Sequence, residues 1–546
     1  MSFGQITQAA PGQGAAADRQ GPARRLSGEA RLALGLGGLW AVFAALLLAP
    51  GALILSRHEG DAVHMTAIVL RMAEGQVPHL DFMTPIGVLA AAPVAAFVAA
   101  GWGFGTAFLL AQVAVAALLL PAAWYAAQSR FGTGWLGFAF GALVLVMAMA
   151  LTHGGTVEAV SISMHYNRWA WAVAFVALAL ALLPPARPAP RLEGAILGLG
   201  LAALALTKVT YFVALAPVVL LALALRREGR TLAVAVAAGL AVVGAATLAF
   251  GAGFWSAYLG DLLTVATSET RAAPGRSYAG LLTAPEGLGV TLAALAAVVV
   301  LRRQGHAREG LVLLAALPGL YLVTWQNYGN DPQWLPLVGL VLLARARPGG
   351  ATGSRPEVLV AVAALALSFP WLATMATSPQ RALTEEARTA QPLAPALPQH
   401  DDVRLVETRL ETVLARVPMT GFETEPTAPG WGAALPECGL QSGGVAVYRA
   451  LAAELEAAGF AGRSLLLADT VQALWLFGDF VPLPGGAPWY YGGLPGGAAA
   501  ELVVVPLCPI YAENRDQVLA AVEAAGWTLR EVHRGPLAAV LEIGRP

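Results

Sequence analysis

The chain has 546 residues, 57% of them hydrophobic and only 12% charged, with a mean hydropathy of +0.64. Soluble domains carry about 25% charged residues, so this composition excludes a wholly soluble protein and implies an α-helical polytopic membrane protein with some soluble mass attached. The net charge of −1 excludes bulk attraction to nucleic acid.

Residues 1–30 are rich in Gly, Ala, Gln and Arg and read as a disordered cytoplasmic tail. The first apolar run, 32–55, is too long for the core of a cleavable signal peptide. Further runs cover 86–128, 135–152, 168–183, 193–207, 209–225, 231–251, 286–301, 311–326, 333–344 and 357–373. Arginines mark one side of these runs: Arg24 and Arg25, Arg130, Arg187, Arg226, Arg302 and Arg345. By the positive-inside rule these segments are cytoplasmic. With 86–100 as a short or re-entrant segment and 104–128 as the crossing, the count is 11 crossings, N-terminus inside and C-terminus outside.

This topology sorts the polar residues. The outer loop 56–85, the stretch Glu158–Arg168, a hairpin tip at Thr207–Thr210, the loop 252–285 and the turn Tyr328–Gln333 all fall on the outer face. Helix interiors are almost free of charge. That favours chemistry at the outer interface over a transport path, which needs charges at mid-depth.

Within the first outer loop, a helix is expected over Ala62–Glu74, ended by Gly75 and Pro78. Asp61 is then either its N-cap or a reactive carboxylate, and the two roles are compatible. Asp61, His64, Ile68 and Arg71 share one helix face. Thr84–Pro85 reads as the start of the next helix, and Asp81 has no evident structural duty. Further on, Glu158, His165 and Arg168 stand among Tyr166, Trp169 and Trp171. The plainer alternative there is an interfacial aromatic belt with a snorkelling arginine. Of the 33 basic residues, Lys208 is the sole lysine. Either an Arg-biased composition left one lysine by chance, or this position wants a compact ammonium, suited to a phosphate as a point charge.

After the transmembrane module, 31–373, residues 374–400 read as a linker and 401–546 as a periplasmic α/β domain. Helices are expected over Asp401–Val417, Val445–Ala458 and Glu513–Ala525, and strands over Leu465–Ala468, Leu502–Pro506 and Ala538–Ile543. Cys438 and Cys508, the only cysteines, both lie in this domain. They form a disulfide or remain two buried thiols.

Three motifs carry a family resemblance: Asp61, then Gly75-Gln76-Val77-Pro78-His79-Leu80-Asp81-Phe82 leading to Thr84-Pro85-Ile86-Gly87, then Gly198-Leu199-Gly200-Leu201 leading to Thr207-Lys208. In this order the chain resembles the GT-C superfamily of membrane glycosyltransferases, over about 32–373. The protein O-mannosyltransferase and aminoarabinose-transferase types are the most similar. Those enzymes often carry Asp-Glu at the loop acid, where this chain has Glu59-Gly60-Asp61-Ala62. Which carboxylate acts, Asp61 or Glu59, is therefore open.

The resemblance implies inverting transfer of a sugar from a polyprenyl-phosphate donor to a glycan, lipid or protein acceptor, in the bacterial inner membrane. Asp61 is then the general base. Lys208, Arg168 and His165 are the candidates for the donor phosphate. Asp81 and Glu158 are candidates to orient the acceptor or hold Mg²⁺ or Mn²⁺. The aromatic run Trp489-Tyr490-Tyr491 either stacks on an acceptor sugar or packs in the domain. Two other functions compete with this one: a glycolipid transporter or flippase, and a non-catalytic envelope scaffold.

Overall fold

A computed structural model describes residues 26–268, 277–327, 331–346, 355–384, 388–415, 431–432, 434–436 and 438–546. The N-terminal part is helical: α1 (Gly28–Leu48), α2 (Glu59–Ala73), α3 (Ala92–Ala99), α4 (Phe104–Ala126), α5 (Trp135–Met149) and α6 (His165–Leu182). It continues through α7 (Pro190–Thr207), α8 (Val209–Arg226), α9 (Gly229–Phe250), α10 (Gly253–Ala266) and α11 (Tyr278–Thr283). The bundle closes with α12 (Pro285–Arg303), α13 (Ala307–Gln326), α14 (Leu335–Arg345) and α15 (Arg355–Arg381). The protein is a helical membrane protein. Among the described residues, eight helices are long and apolar enough to cross a bilayer: α1, α4, α7, α8, α9, α12, α13 and α15. The shorter α5 and α14 are apolar too, and α6 is buried along almost its whole length. The segment expected to be short, 86–100, yields only the eight-residue α3.

Small residues allow close backbone contact in the bundle. A Cβ on Gly198 would sit 2.2 Å from the Ala235 carbonyl oxygen, and one on Gly194 would sit 2.6 Å from that of Thr231. The pair is spaced as Gly-x-x-x-Gly, which lets two helix backbones meet where lipid gives no hydrophobic drive for association. Gly87 meets the end of α7 in the same way: a Cβ there would fall 2.1 Å from the Leu206 carbonyl oxygen, and its N–H donates to Thr207 O at 3.1 Å.

The bundle has two chemically distinct ends. At one, Arg130 clasps Glu193 with both terminal nitrogens, at 3.1 and 2.8 Å. Beside it Arg226 donates to the Leu180, Ala181 and Leu183 carbonyls that end α6, and Arg345 pairs with Glu309. At the other end α6 begins at His165 next to Lys208, the single extended residue between α7 and α8. The 18 residues of α6 separate the ends by about 27 Å at 1.5 Å per residue. The hairpin expected at Thr207–Thr210 is thus present.

One strand, β1 (Leu53–Leu55), follows α1, and the C-terminal region contains β2 (Gln391–Pro392), β3 (Val403–Leu405), β4 (Val413–Ala415), β5 (Gly439–Ser442), β6 (Leu465–Leu467), β7 (Leu502–Pro506), β8 (Thr528–Arg534) and β9 (Ala538–Gly544), with helices α16 (Gly444–Ala457) and α17 (Ala512–Ala524). The expected helices and strands after residue 440 all appear, joined by β8. The main sheet runs β6-β7-β9-β8, with β6 and β7 parallel and the remaining pairs antiparallel. Cys438 and Cys508 are disulfide-bonded, Cα to Cα 4.9 Å, tying the entry of β5 to the exit of β7.

Three expectations change here. Asp401–Val417 is no helix: Val403 and Leu405 are buried in β3, which pairs in parallel with Leu53–Leu55 of β1. Residues 416 and 417 of that expectation lie outside the described residues. The stretch 374–400 is not a free linker. α15 runs on to Arg381, and β2 pairs with β3. Nor does a helix start at Thr84–Pro85; regular helix resumes only at α3. The domain is pinned to the bundle where α4 begins. His400 Nδ1 accepts the Phe104 N–H at 3.2 Å, and Asp402 accepts those of Gly105 and Thr106 at 3.0 and 2.7 Å, groups that lack partners inside the helix.

Candidate functional site

α2 lies between the bundle and the C-terminal domain, and its polar face is covered from both sides. His58 precedes it in the left-handed region, φ 59°, so the helix starts at Glu59, earlier than its sequence suggests. Asp61 is therefore in the first turn and is not the N-cap. Glu59 is engaged elsewhere: Arg409 of the C-terminal domain holds it in a two-pronged pair at 3.0 and 2.7 Å. This geometry makes Glu59 a docking contact, and of the two carboxylates it leaves Asp61 facing the bundle.

Asp61 accepts a hydrogen bond from the Ser163 hydroxyl. Part of the residue stays exposed, but enclosure of its carboxyl raises its pKa above the ordinary carboxylate value, against the lowering effect of that bond. Arg168 grips the same serine, its Nη1 donating to the Ser163 carbonyl at 2.9 Å. Arg168 is 1% exposed, and its Nε and Nη2 have no hydrogen-bond partner among the described residues. A buried guanidinium in that state is costly unless an anion meets it. Around this pair lie His58 and His153, edge to face at 4.5 Å, which burial holds at about 4 and about 3. His64 packs on Trp489 at 5.4 Å and is also held at about 4 by burial. Asp331 accepts the Gly155 N–H, and burial pushes it up to about 6.

One turn of α6 away stands Lys208. Its Nζ donates to Asn167 Oδ1 at 2.9 Å and Asn327 Oδ1 at 2.6 Å, and lies 5.7 Å from the centre of the Tyr166 ring. Asn327 in turn donates to the Tyr211 hydroxyl at 3.2 Å. Lys208 and Tyr166 open onto a cavity of about 330 Å³, lined also by Pro85, Thr210, Gln326 and Tyr491. The two amide oxygens fix the position of the ammonium, and Leu262, Val265 and Ala266 of α10 form an apolar wall of the cavity.

Asp61, Arg168 and Lys208 thus share one end of the bundle, connected through residues 163–168. The cavity that Lys208 lines does not have Asp61 or Arg168 in its wall. His165 turns into the core. Its Nε2 meets the Ala90 carbonyl at 2.8 Å and its ring packs on Phe108 and Trp169, which removes it as a phosphate ligand. Asp81 has a structural duty after all, accepting the Val77 N–H at 2.6 Å to close its own turn. Glu158 is exposed on the loop before α6. No group of three or more His, Cys, Asp or Glu side chains suited to a metal occurs among the described residues. Of the aromatic run, Tyr490 is buried, Trp489 covers His64, and Tyr491 reaches the Lys208 cavity.

Comparison with protein-family models, with curated proteins and with solved structures finds no match to this chain. The site therefore rests on its own geometry. Sequence reasoning passed over His153, Ser163, Asn327 and Asp331. Asn327 and Asp331 flank the polar turn that interrupts the apolar runs after α13, and His153-Gly154-Gly155 is a similar interruption after α5. A hydroxyl such as Ser163 gives no such signal.

Proposed function

We propose that the protein is a GT-C-like inverting glycosyltransferase of a bacterial inner membrane, with 11 crossings and its α2 face in the periplasm. Its donor is a polyprenyl-phosphate sugar that enters from the bilayer. One observation carries this reading: a carboxylate with a raised pKa, Asp61, and a buried guanidinium short of partners, Arg168, hold the same residue, Ser163, one helical turn from the aimed ammonium of Lys208.

The chemistry follows from these groups. An acceptor hydroxyl attacks the anomeric carbon as the bond from that carbon to the phosphate oxygen breaks. Asp61 takes the hydroxyl proton, and its raised pKa makes it a stronger base than a solvated aspartate. The departing lipid phosphate gains charge, which Lys208 stabilises from the cavity it lines and Arg168 supports as a second positive charge at the same end of the bundle. Tyr491 supplies an aromatic face beside Lys208 for a sugar or an isoprenoid.

The test is release of polyprenyl phosphate by purified protein given polyprenyl-phosphate-linked sugars and an acceptor extract. Lys208→Ala is expected to slow release by roughly 10²-fold, the size of losing one charge-stabilising donor, with Lys208→Arg recovering part of it. Full activity in Lys208→Ala counts against the reading.

A further inference from the structure

The end of the bundle remote from α2 holds a second cavity, of about 420 Å³, where α6, α8, α13 and α14 meet. Its rim carries Arg226, His306, Arg308 and Arg345, with one carboxylate, Glu309. Glu309 is already paired with Arg345. Glu228 lies 3.5 Å from Arg226, and Glu193, which also acts on Arg226, is paired with Arg130. The rim therefore keeps net positive charge. α13 starts here, at Ala307, with no side chain capping its first N–H groups. Such an end favours an anion. Beneath the rim the wall is apolar, formed by Leu182, Ala222 and Val312.

A cationic rim over an apolar wall, at the level where membrane helices end, matches an anionic amphiphile. Arg226 spends its hydrogen bonds on the carbonyls that end α6, so it supplies fixed charge. Arg308 is exposed on the first turn of α13 and is free to reach a ligand oxygen. We infer that this cavity binds a phosphate-bearing anion, with the headgroup phosphate on Arg308, Arg345 and the α13 N-terminus, at a site distinct from the proposed catalytic end. Basic pockets between helix ends are suited to anionic headgroups. The shared chemistry is the phosphate monoanion, which a phospholipid or a soluble phosphate would both present.

The experiment uses full-length protein in detergent and reads bound lipid by native mass spectrometry, with phosphatidylglycerol against phosphatidylcholine. In parallel, inorganic phosphate is tested for a shift in the unfolding temperature without added lipid. Two variants probe the site: Arg308→Gln removes charge, and Ala307→Trp fills the cavity at an exposed position without removing charge. Arg303→Gln, exposed at the same end but outside the cavity, is the control.

Preferential retention of phosphatidylglycerol that falls roughly tenfold in Arg308→Gln, as loss of one charge-assisted contact implies, and that also falls in Ala307→Trp, which blocks the cavity, supports a lipid headgroup. A shift by inorganic phosphate that both variants abolish supports a soluble phosphate. Equal retention of the two lipids without a phosphate shift, or variants that match Arg303→Gln, overturns the site. Sugar transfer is not read in any of these arms, so their failure leaves the proposed activity untouched.

Discussion

At the scale of single residues, burial sets opposing titrations around α2. His64 is neutral in the folded protein, held at about 4 against an ordinary 6.5, and takes up a proton on unfolding below that ordinary value. Its contribution to stability is present above pH 6.5 and is lost as pH falls toward 4. His58 and His153 are shifted in the same sense. Asp61 is shifted upward, so its contribution runs the other way: it is present below the ordinary carboxylate value and is lost as pH rises through the raised one. Asp331 is shifted upward like Asp61, and the three histidines outweigh these two carboxyls. The unfolding temperature of the detergent-solubilised protein is expected to drop between pH 6.5 and 4, and His64→Gln should flatten that drop. An identical slope in the variant contradicts the buried neutral imidazole. The same shift in Asp61 places the acid limb of any sugar-transfer activity above the range of a solvated aspartate, since the base must be ionised to act.

At the scale of elements, close backbone contact positions the site. α7 carries Lys208 at its end and is held by Gly194 and Gly198 against α9, and by Gly87 against its last turn. Gly87→Ala forces a Cβ into the Leu206 carbonyl and moves the Thr207–Lys208 hinge. Transfer is expected to fall while Lys208 itself is intact, measured as turnover at saturating donor. Gly198→Leu separates α7 from α9 and should lower the unfolding temperature, whereas Gly38→Leu, which meets nothing within 4 Å, should leave it unchanged. Equal effects in these two variants would remove the close crossing as a determinant. Much of this level was legible. Runs of apolar residues and arginine placement marked the helices, and the Gly-rich approach to Lys208 marked the hinge. The β1–β3 pairing was not legible, because three residues at the end of the first apolar run meet a partner some 350 positions later, and Val403, Val406 and Leu410 fit a helical stripe as readily as Val403 and Leu405 fit a strand. Local pattern also misread the start of α2, where His58 takes a left-handed conformation that only the surrounding fold imposes.

At the scale of the whole molecule, the chain is polarised. One end gathers arginines paired to glutamates and helix carbonyls. The other gathers Asp61, Arg168, Lys208 and the neutral histidines under a disulfide-bonded α/β domain. That domain is part of the site, since Arg409 fixes the start of α2, the Leu483 carbonyl receives Arg71 at 3.2 Å, and Tyr491 enters the Lys208 cavity. The sequence placed Asp61 and Lys208 on one membrane face but assigned His165, Asp81 and Glu158 to them as well. Spacing alone cannot tell a side chain turned into the core, as His165 is, from one turned to a ligand. The most direct measurement is single-turnover sugar transfer from a polyprenyl-phosphate donor by wild-type protein and Asp61→Asn, folded alike. The account predicts transfer with inversion in the wild type and a loss of about 10² to 10⁴ in the variant, the range for removing a general base. Equal rates in the two proteins would contradict it.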